Sequence, residues 1–358
     1  MSQLKPFRDM PRITVGVPTK ERYDSLLTLL NSLLLQSYKN FDLIIVDDSS
    51  PDKRPDLRQI PIFAHIFNMF NRFGIGWEIL FGEGKGQVNN HIKVLEKSKN
   101  LWVLRVDDDH VLEPDCIDQL ASHLFIDDNE IRAIAPRVVH SDKIFPMDCV
   151  SPYITDVLSK YALQFTEFND TREVEHYYST FMGRKDLLLD CYPRNLSKIG
   201  HREDSIVSYN LFKKGHKLLV DGSAIVYHFR MPTGGIRSYQ NPLYWENDEK
   251  VFKEILRKDR IKLNTYKLVC CNGGIGDQMI LRGLLPKIRE KHKNEKIFFA
   301  CVYPAFMEGE QDIELASIAG AQILFGPEHV DKLDPYRLGY ELNGEISLIN
   351  AYKKIYGI

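Results

Sequence analysis

Dense apolar runs alternate along this chain with stretches of helical spacing, and polar or glycine-rich breaks separate them. Residues 13–17 read as a short buried strand stopped by Pro18. Leucines at 26, 27, 29, 30, 33, 34 and 35 give residues 23–36 one broad apolar face, as in a helix packed on a sheet. Residues 41–46 are a second apolar run, ending in Asp47-Asp48-Ser49-Ser50. Strand, helix and strand at this spacing make a βαβ unit and predict a parallel pair. Residues 51–61 read as a turn-rich loop and 77–81 as a third strand. Gly82-Glu-Gly-Lys-Gly-Gln87 breaks that strand, and 88–98 read as a helix.

The next run organises the rest. Leu101-Trp-Val-Leu-Arg-Val106 predicts a buried strand that ends in three carboxylates, Asp107, Asp108 and Asp109. Pro114 then suits the first turn of a helix over 114–124, and 133–139 form another strand. The pattern weakens over 140–180, where Phe145, Tyr153, Tyr161, Phe165, Phe168, Tyr177 and Tyr178 follow no period; such a stretch shapes a binding surface or merely connects. Helices are expected at 184–189 and 203–213, the second closed by Gly215, and short strands at 217–220 and 224–227. Residues 231–240 read as a mobile loop and 245–260 as a charged amphipathic helix. A second unit begins near Tyr266, with strands at 267–271, 296–302 and 322–325 and helices from the loop Asn272-Gly-Gly-Ile-Gly-Asp277 to about His292 and over 313–319. The expected fold is thus α/β: a mixed, Rossmann-like sheet with helices on both faces, plus a small βαβαβ unit. The expected divisions are a first domain over 1–244, a helical linker over 245–265 and an accessory domain over 266–358.

Composition narrows the function. With 358 residues there is room for two domains. A hydrophobic fraction of 44% and a charged fraction of 27% describe a globular protein, and a formal net charge of −2 offers no global field for nucleic acid or anionic membrane. Six scattered cysteines form no C-x-x-C pair, which argues against structural zinc and for a reducing compartment. The polar start shows no signal-peptide core, and the apolar-rich stretch 26–35 is too short to span a bilayer. A cytoplasmic location is expected, with peripheral membrane contact or a host cytoplasm as variants.

Three acids at the end of a core strand lie where open α/β sheets place ligands. Adjacent like charges raise one another's proton affinity unless a cation neutralises them, and hard oxygen donors suit Mg²⁺ or Mn²⁺ with a phosphate. A solvated acidic loop is the plain alternative. The glycine loop at 272–276 could cradle an anion at a helix start, or be only a tight turn.

Residues 11–230 resemble the family 2 glycosyltransferases of GT-A fold. Ile13-Thr-Val-Gly-Val-Pro-Thr19 looks like the family's opening strand. Leu33-Leu-Leu-Gln-Ser-Tyr-Lys-Asn-Phe-Asp-Leu-Ile-Ile-Val-Asp-Asp-Ser49 is similar to its stretch ending Val-Val-Asp-Asp-Gly-Ser. Val106-Asp-Asp-Asp109 matches its D-x-D motif, Glu203-Asp204 its E-D helix, and His228 its late metal-binding histidine. Lys20-Glu21-Arg22 stands where a Tyr-Asn-Arg type is usual. Residues 267–358 resemble the N-terminal half of the family 9, heptosyltransferase-like enzymes of GT-B fold, carried by Gly273-Gly-Ile-Gly-Asp277 with Leu285-Pro286.

The first resemblance implies metal-dependent, inverting sugar transfer from a nucleotide sugar, a UDP-sugar first, to an acceptor hydroxyl on a saccharide or glycoconjugate. Asp109 and His228 would hold Mn²⁺ or Mg²⁺. Asp107 and Asp108, with Pro18, Thr19, Glu21, Asp48 and Gly86, would bind the donor. Asp204 would be the catalytic base, with Glu203 orienting it or bonding to the acceptor. Plainer readings are a packed histidine for His228, a turn cap for Asp47-Asp48 and a favourable helix-start charge for Glu203-Asp204. The second resemblance covers half of a two-domain architecture, so 266–358 are expected to position the acceptor or self-associate into a homo-oligomer. Three rivals remain open. A nucleotidyltransferase would need a basic signature loop after the first strand. A silent binding module would not need Asp109, Asp204 and His228. A DNA acceptor with hydroxymethylated bases would use a local patch from Arg230, Arg237, Arg257, Lys258, Arg260 and Lys262.

Overall fold

A computed structural model describes residues 11–125, 131–140, 168–177, 179–229, 231, 234–236, 241–260, 266–307, 309–336 and 346–358. These fall into two compact units, one closing at Lys250 and the other running on from Val251. The first contains β1 (Ile13–Thr19), α1 (Tyr23–Leu35), β2 (Phe41–Asp47), α2 (Pro61–Arg72), β3 (Gly76–Phe81), α3 (Gln87–Lys97), β4 (Trp102–Arg105), β5 (His110–Leu112), α4 (Cys116–Ser122), β6 (Ile131–His140), β7 (Thr171–Val174), β8 (Phe181–Arg184), α5 (Lys185–Leu189), α6 (Glu203–Lys213) and β9 (Lys217–His228). The helix α7 (Pro242–Arg260) starts in this unit.

Among the described residues the strands form one mixed sheet in the order β3-β2-β1-β4-β8-β6-β9-β5, with β7 also on β9. The first four are parallel, as the βαβ spacing predicts. β8 then runs antiparallel to both β4 and β6, and β5 antiparallel to β9. Fully apolar strands need cover on both sides, and two apolar clusters supply it. Ile13, Val15 and Val17 pack with residues of α1, α2 and α4, while Ile44, Val46 and Val103 pack with residues of α3, α5 and α6. The parallel strands β1, β2 and β4 all end at one rim, and there lie Thr19, Asp47-Asp48 and Asp107–Asp109.

Several elements differ from the sequence reading. Residues 61–72 form a helix where only the end of a loop was read. Its signal is present: Pro61 sits in the first turn, and Phe63, Ile66, Phe67 and Phe70 are buried at helical spacing, each contributing roughly 1.5–3 kcal/mol. The two short strands expected at 217–220 and 224–227 are one continuous strand, β9. Opposite it the register jumps from Pro136↔Asp221 to Arg137↔Ile225, and this irregularity hides the continuity from a period-2 reading. β5, β7 and β8 are three or four residues long, too short to leave a period. Of the aromatic stretch, Phe145, Tyr153, Tyr161, Phe165 and Tyr178 lie outside the described residues, and Phe168 and Tyr177 are buried core.

The second unit has a three-stranded parallel sheet of β10 (Tyr266–Cys271), β11 (Lys296–Cys301) and β12 (Ile313–Ala316). Its helices are α8 (Ile275–Lys291), α9 (Ile318–Phe325), α10 (Pro327–Asp331) and α11 (Leu348–Tyr356). Val269, Cys271, Phe299 and Cys301 face α8 and α11; Leu268, Cys270, Phe298 and Ala300 face the cluster holding Ala321 and Val330. The expected helix over 313–319 and strand over 322–325 are exchanged. Residues 313–316 pair with β11, and 318–325 are helical, because a short apolar run carries no period that separates the two. The β11-to-β12 connection holds a one-turn 3₁₀ segment (Pro304–Met307), so the unit is not a full βαβαβ repeat.

Candidate functional site

At the rim where β1, β2 and β4 end, an open cleft of about 280 Å³ is lined by Pro18, Thr19, Asp48, Gly86, Asp107, Asp108, Asp109 and His228 from the sequence reading. Lys20, Arg22, Gln87, Asn90, Lys198, Ile199, Gly235 and Ile236 complete the lining. Glu21, Glu203 and Asp204 are not part of it.

The three acids have different partners. Asp108 is buried, accepts from Thr19 Oγ1 at 2.8 Å and faces Arg22 Nη1 at 2.8 Å. Burial pushes its carboxyl up to about 6, against the pull of Arg22. Asp109 faces Arg22 at 3.3 Å and His228 Nε2 at 3.5 Å, and accepts from the Met231 backbone N–H at 3.2 Å. Burial would raise its carboxyl, but His228, His110 and Arg22 together hold it well below the usual range. Asp107 Oδ2 accepts from Ser179 Oγ at 3.4 Å, while its buried Oδ1 makes no hydrogen bond and lies 3.6 Å from Arg105.

His228 enters the site through sheet register. β5 and β9 pair His110 directly with His228, and the two rings meet edge to face at 4.6 Å. Asp109, His110 and His228 then offer one carboxylate oxygen and two imidazole nitrogens within 4.8 Å of one another. This donor set fits a divalent transition ion; two imidazoles favour Mn²⁺ over Mg²⁺, which takes oxygen ligands and water. His110 carries no predicted role, because its pairing with a residue so far along the chain is invisible in sequence. Its ring is held on both sides, Nδ1 by Thr180 Oγ1 at 2.7 Å and Nε2 by Ser179 Oγ at 3.0 Å. Burial, then the neighbouring His228, pull it down to about 4, so it is neutral and able to ligate.

Asp48 uses its carboxylate on the chain itself. It accepts the Gly84 N–H at 2.8 Å and the Gly86 N–H at 3.3 Å, and so shapes the glycine loop that borders the cleft. Gly86 has φ +93°, and a Cβ there would lie 2.2 Å from the Lys198 carbonyl oxygen. Only glycine lets the two loops touch. Glu21 sits just outside the cleft at φ +55°, its N–H bonded to Ser49 Oγ at 2.9 Å and its carboxylate 3.6 Å from Lys53.

Glu203 and Asp204 open α6, outside the cleft lining. Glu203 is 1% exposed and pairs with Arg105, itself buried. Burial pushes the Glu203 carboxyl up to about 8, only partly opposed by Arg105. Asp204 is 9% exposed and accepts the Ser179 N–H at 2.6 Å and the Ser205 N–H at 2.7 Å. Ser179, in the left-handed region at φ +76°, therefore links Asp204 to both His110 and Asp107. Of the basic patch, Arg230, Arg237 and Lys262 and the side chains of Arg257 and Arg260 lie outside the described residues.

Among the described residues no helix is long and apolar enough to cross a membrane. The model of glycosyl transferase family 2 matches residues 14–192, half of the chain. No curated protein matched. Among solved structures, the chain is similar to S. aureus TarS 1-349 in complex with UDP-GlcNAc at 16% identity and TM-score 0.49, covering 97% of this chain and 90% of that one. It is similar to mannosyltransferase PcManGT from Pyrobaculum calidifontis, in complex with GDP-Man and Mn²⁺, at 14% identity and TM-score 0.45, over 62% of this chain and 57% of that one. GalNAc-T7 with UDP, GalNAc and Mn²⁺ matches at 14% identity and TM-score 0.47, over 84% and 57%. The chain thus spans little more than half the length of the last two.

Proposed function

The chain belongs to glycosyl transferase family 2, and from that premise we propose that it moves a sugar from a nucleotide-sugar donor, UDP-linked, to a hydroxyl of a saccharide or glycoconjugate, with inversion. The observation that carries this reading is the convergence of Asp109 and His228, both lining the cleft, with the buried His110 beside them, in a space also lined by Thr19, Lys20, Arg22 and Lys198. Anions are rarely bound by acids alone. Here acids that suit a cation and bases that suit a diphosphate face the same space.

Asp109 and His228 would hold Mn²⁺, with His110 beside them once Ser179 Oγ is released. The bound ion supplies positive charge to the departing diphosphate. Lys20, Arg22 and Lys198 add fixed cations along the same lining. Pro18 and Thr19 border the nucleoside end, and Asp48 holds the glycine loop against it. Asp204 would take the acceptor's proton: Oδ1 accepts from the Ser205 N–H and hydroxyl, while Oδ2 accepts the Ser179 N–H and keeps a lone pair, and one carboxylate on the face opposite the leaving group gives single displacement. Glu203, paired with Arg105 and pushed towards its neutral form, would keep α6 in place and not act as base. The second unit would be an accessory domain for acceptor positioning or self-association; among its described residues no acid cluster comparable to Asp107–Asp109 occurs.

A screen of UDP- and GDP-sugars for thermal stabilisation and slow hydrolysis, each in Mn²⁺, Mg²⁺ and EDTA, tests the reading. One UDP-sugar should stabilise the protein and be cleaved only with the metal. Full turnover in EDTA, or no stabilisation by any nucleotide sugar, overturns it.

A further inference from the structure

The segment that carries Lys198 and Ile199 into the cleft, residues 197–202, is neither helix nor strand. It contains two left-handed residues, Gly200 at φ +66° and Arg202 at φ +66°, and packs its Lys198 carbonyl against Gly86. Such a segment needs outside bonds to hold one conformation. They come from the first turns of α7. Asp248, 0% exposed, accepts the Ser197 backbone N–H at 2.7 Å, the Ser197 hydroxyl at 2.6 Å and the His201 backbone N–H at 3.0 Å. It thereby ties both ends of the turn to one carboxylate. Glu249, 8% exposed, faces His201 Nε2 at 3.0 Å and accepts from Arg202 Nε at 2.7 Å. The Trp245 ring stacks on His201 with centroids 4.8 Å apart. Arg202 immediately precedes Glu203 and Asp204, so the same bonds set where α6 begins.

We infer that Asp248 and Glu249 are positioning residues for the donor cleft: they fix 197–202 so that Lys198 and Ile199 line it and Asp204 starts α6 in register. Neither acid touches the cleft, and both lie past position 244, where the sequence reading ended the first domain. The inference rests on the proposed function for what the cleft binds, but not for what the acids hold.

The test compares the full chain with Asp248→Asn and Glu249→Gln by hydrogen exchange and by binding of UDP with Mn²⁺. In Asp248→Asn, amides of 197–204 should exchange at least about tenfold faster while those of β1 and β4 do not change. UDP affinity should fall by about 10–100-fold, the cost of a misplaced binding group. In a Lys198→Ala background the same substitution should cost less than in the wild type, because both act through one side chain. Should Asp248→Asn not fold, Glu249→Gln carries the test, since it leaves the Asp248 bonds in place. Unchanged exchange at 197–204, or full additivity with Lys198→Ala, overturns the inference. If the wild type binds neither UDP nor GDP, the proposed function fails, while the exchange comparison still decides whether the acids hold the loop.

Discussion

Each of three buried side chains separates one role from another. Among the described residues, Asp109 is the carboxylate that comes within 4.8 Å of a ring nitrogen of both His110 and His228. Asp109→Asn should cost more than the ~10–100-fold in metal affinity typical of losing an outer partner, as measured by Mn²⁺ calorimetry, with the fold intact. Thr180 is such an outer partner, its hydroxyl on His110 Nδ1 while Ser179 occupies Nε2. Thr180→Val removes that hydroxyl at nearly constant volume, so Mn²⁺ affinity should drop by about tenfold; an unchanged affinity would remove Thr180 from the metal site. Asp204→Asn should lower turnover by about 10²–10⁴ and leave donor binding nearly untouched, as expected for a general base. Collapse of donor affinity without loss of saturated turnover would make Asp204 a binding residue instead.

At the scale of elements, the site depends on pairs of segments that meet only in the folded chain. β5 and β9 bring the histidines together, and α7 holds the approach to α6. The second pairing has a pH signature. Burial works against the Glu249 charge, but His201 and Arg202 outweigh it and hold the carboxyl at about 2. A depressed carboxyl contributes stability that is present above its unfolded value and lost as pH falls through the folded one. The window here runs from about 4.5 down to about 2. With solvent screening the contribution is about 1–2 kcal/mol. Wild type and Glu249→Gln should therefore differ in unfolding free energy at pH 6 and converge by about pH 2; a gap that stays constant through acid would show that Glu249 acts without its charge.

For the molecule as a whole, the division of labour between the units is testable without a known acceptor. A chain ended after Tyr244 lacks Asp248 and Glu249 and should lose UDP binding. Asp277→Ala in the full chain, which removes the carboxylate bonded to Tyr336 at 2.6 Å, should leave donor turnover unchanged. Loss of turnover in that variant would bring the second unit into the active site. The sequence by itself determined the βαβ order, the strand ends that carry Asp48 and Asp107–Asp109, and the family, because each is a local pattern: an apolar run, its period and the polar residues that stop it. It also singled out His228. Only the tertiary structure decided that His110 joins His228, that Asp48 shapes the glycine loop with both oxygens, that Glu203 is buried on Arg105, and that an acid pair on α7 bonds Ser197, His201 and Arg202 on either side of Lys198. Those facts depend on register between distant strands and on which side chains burial forces to share a charge. No local period records either one.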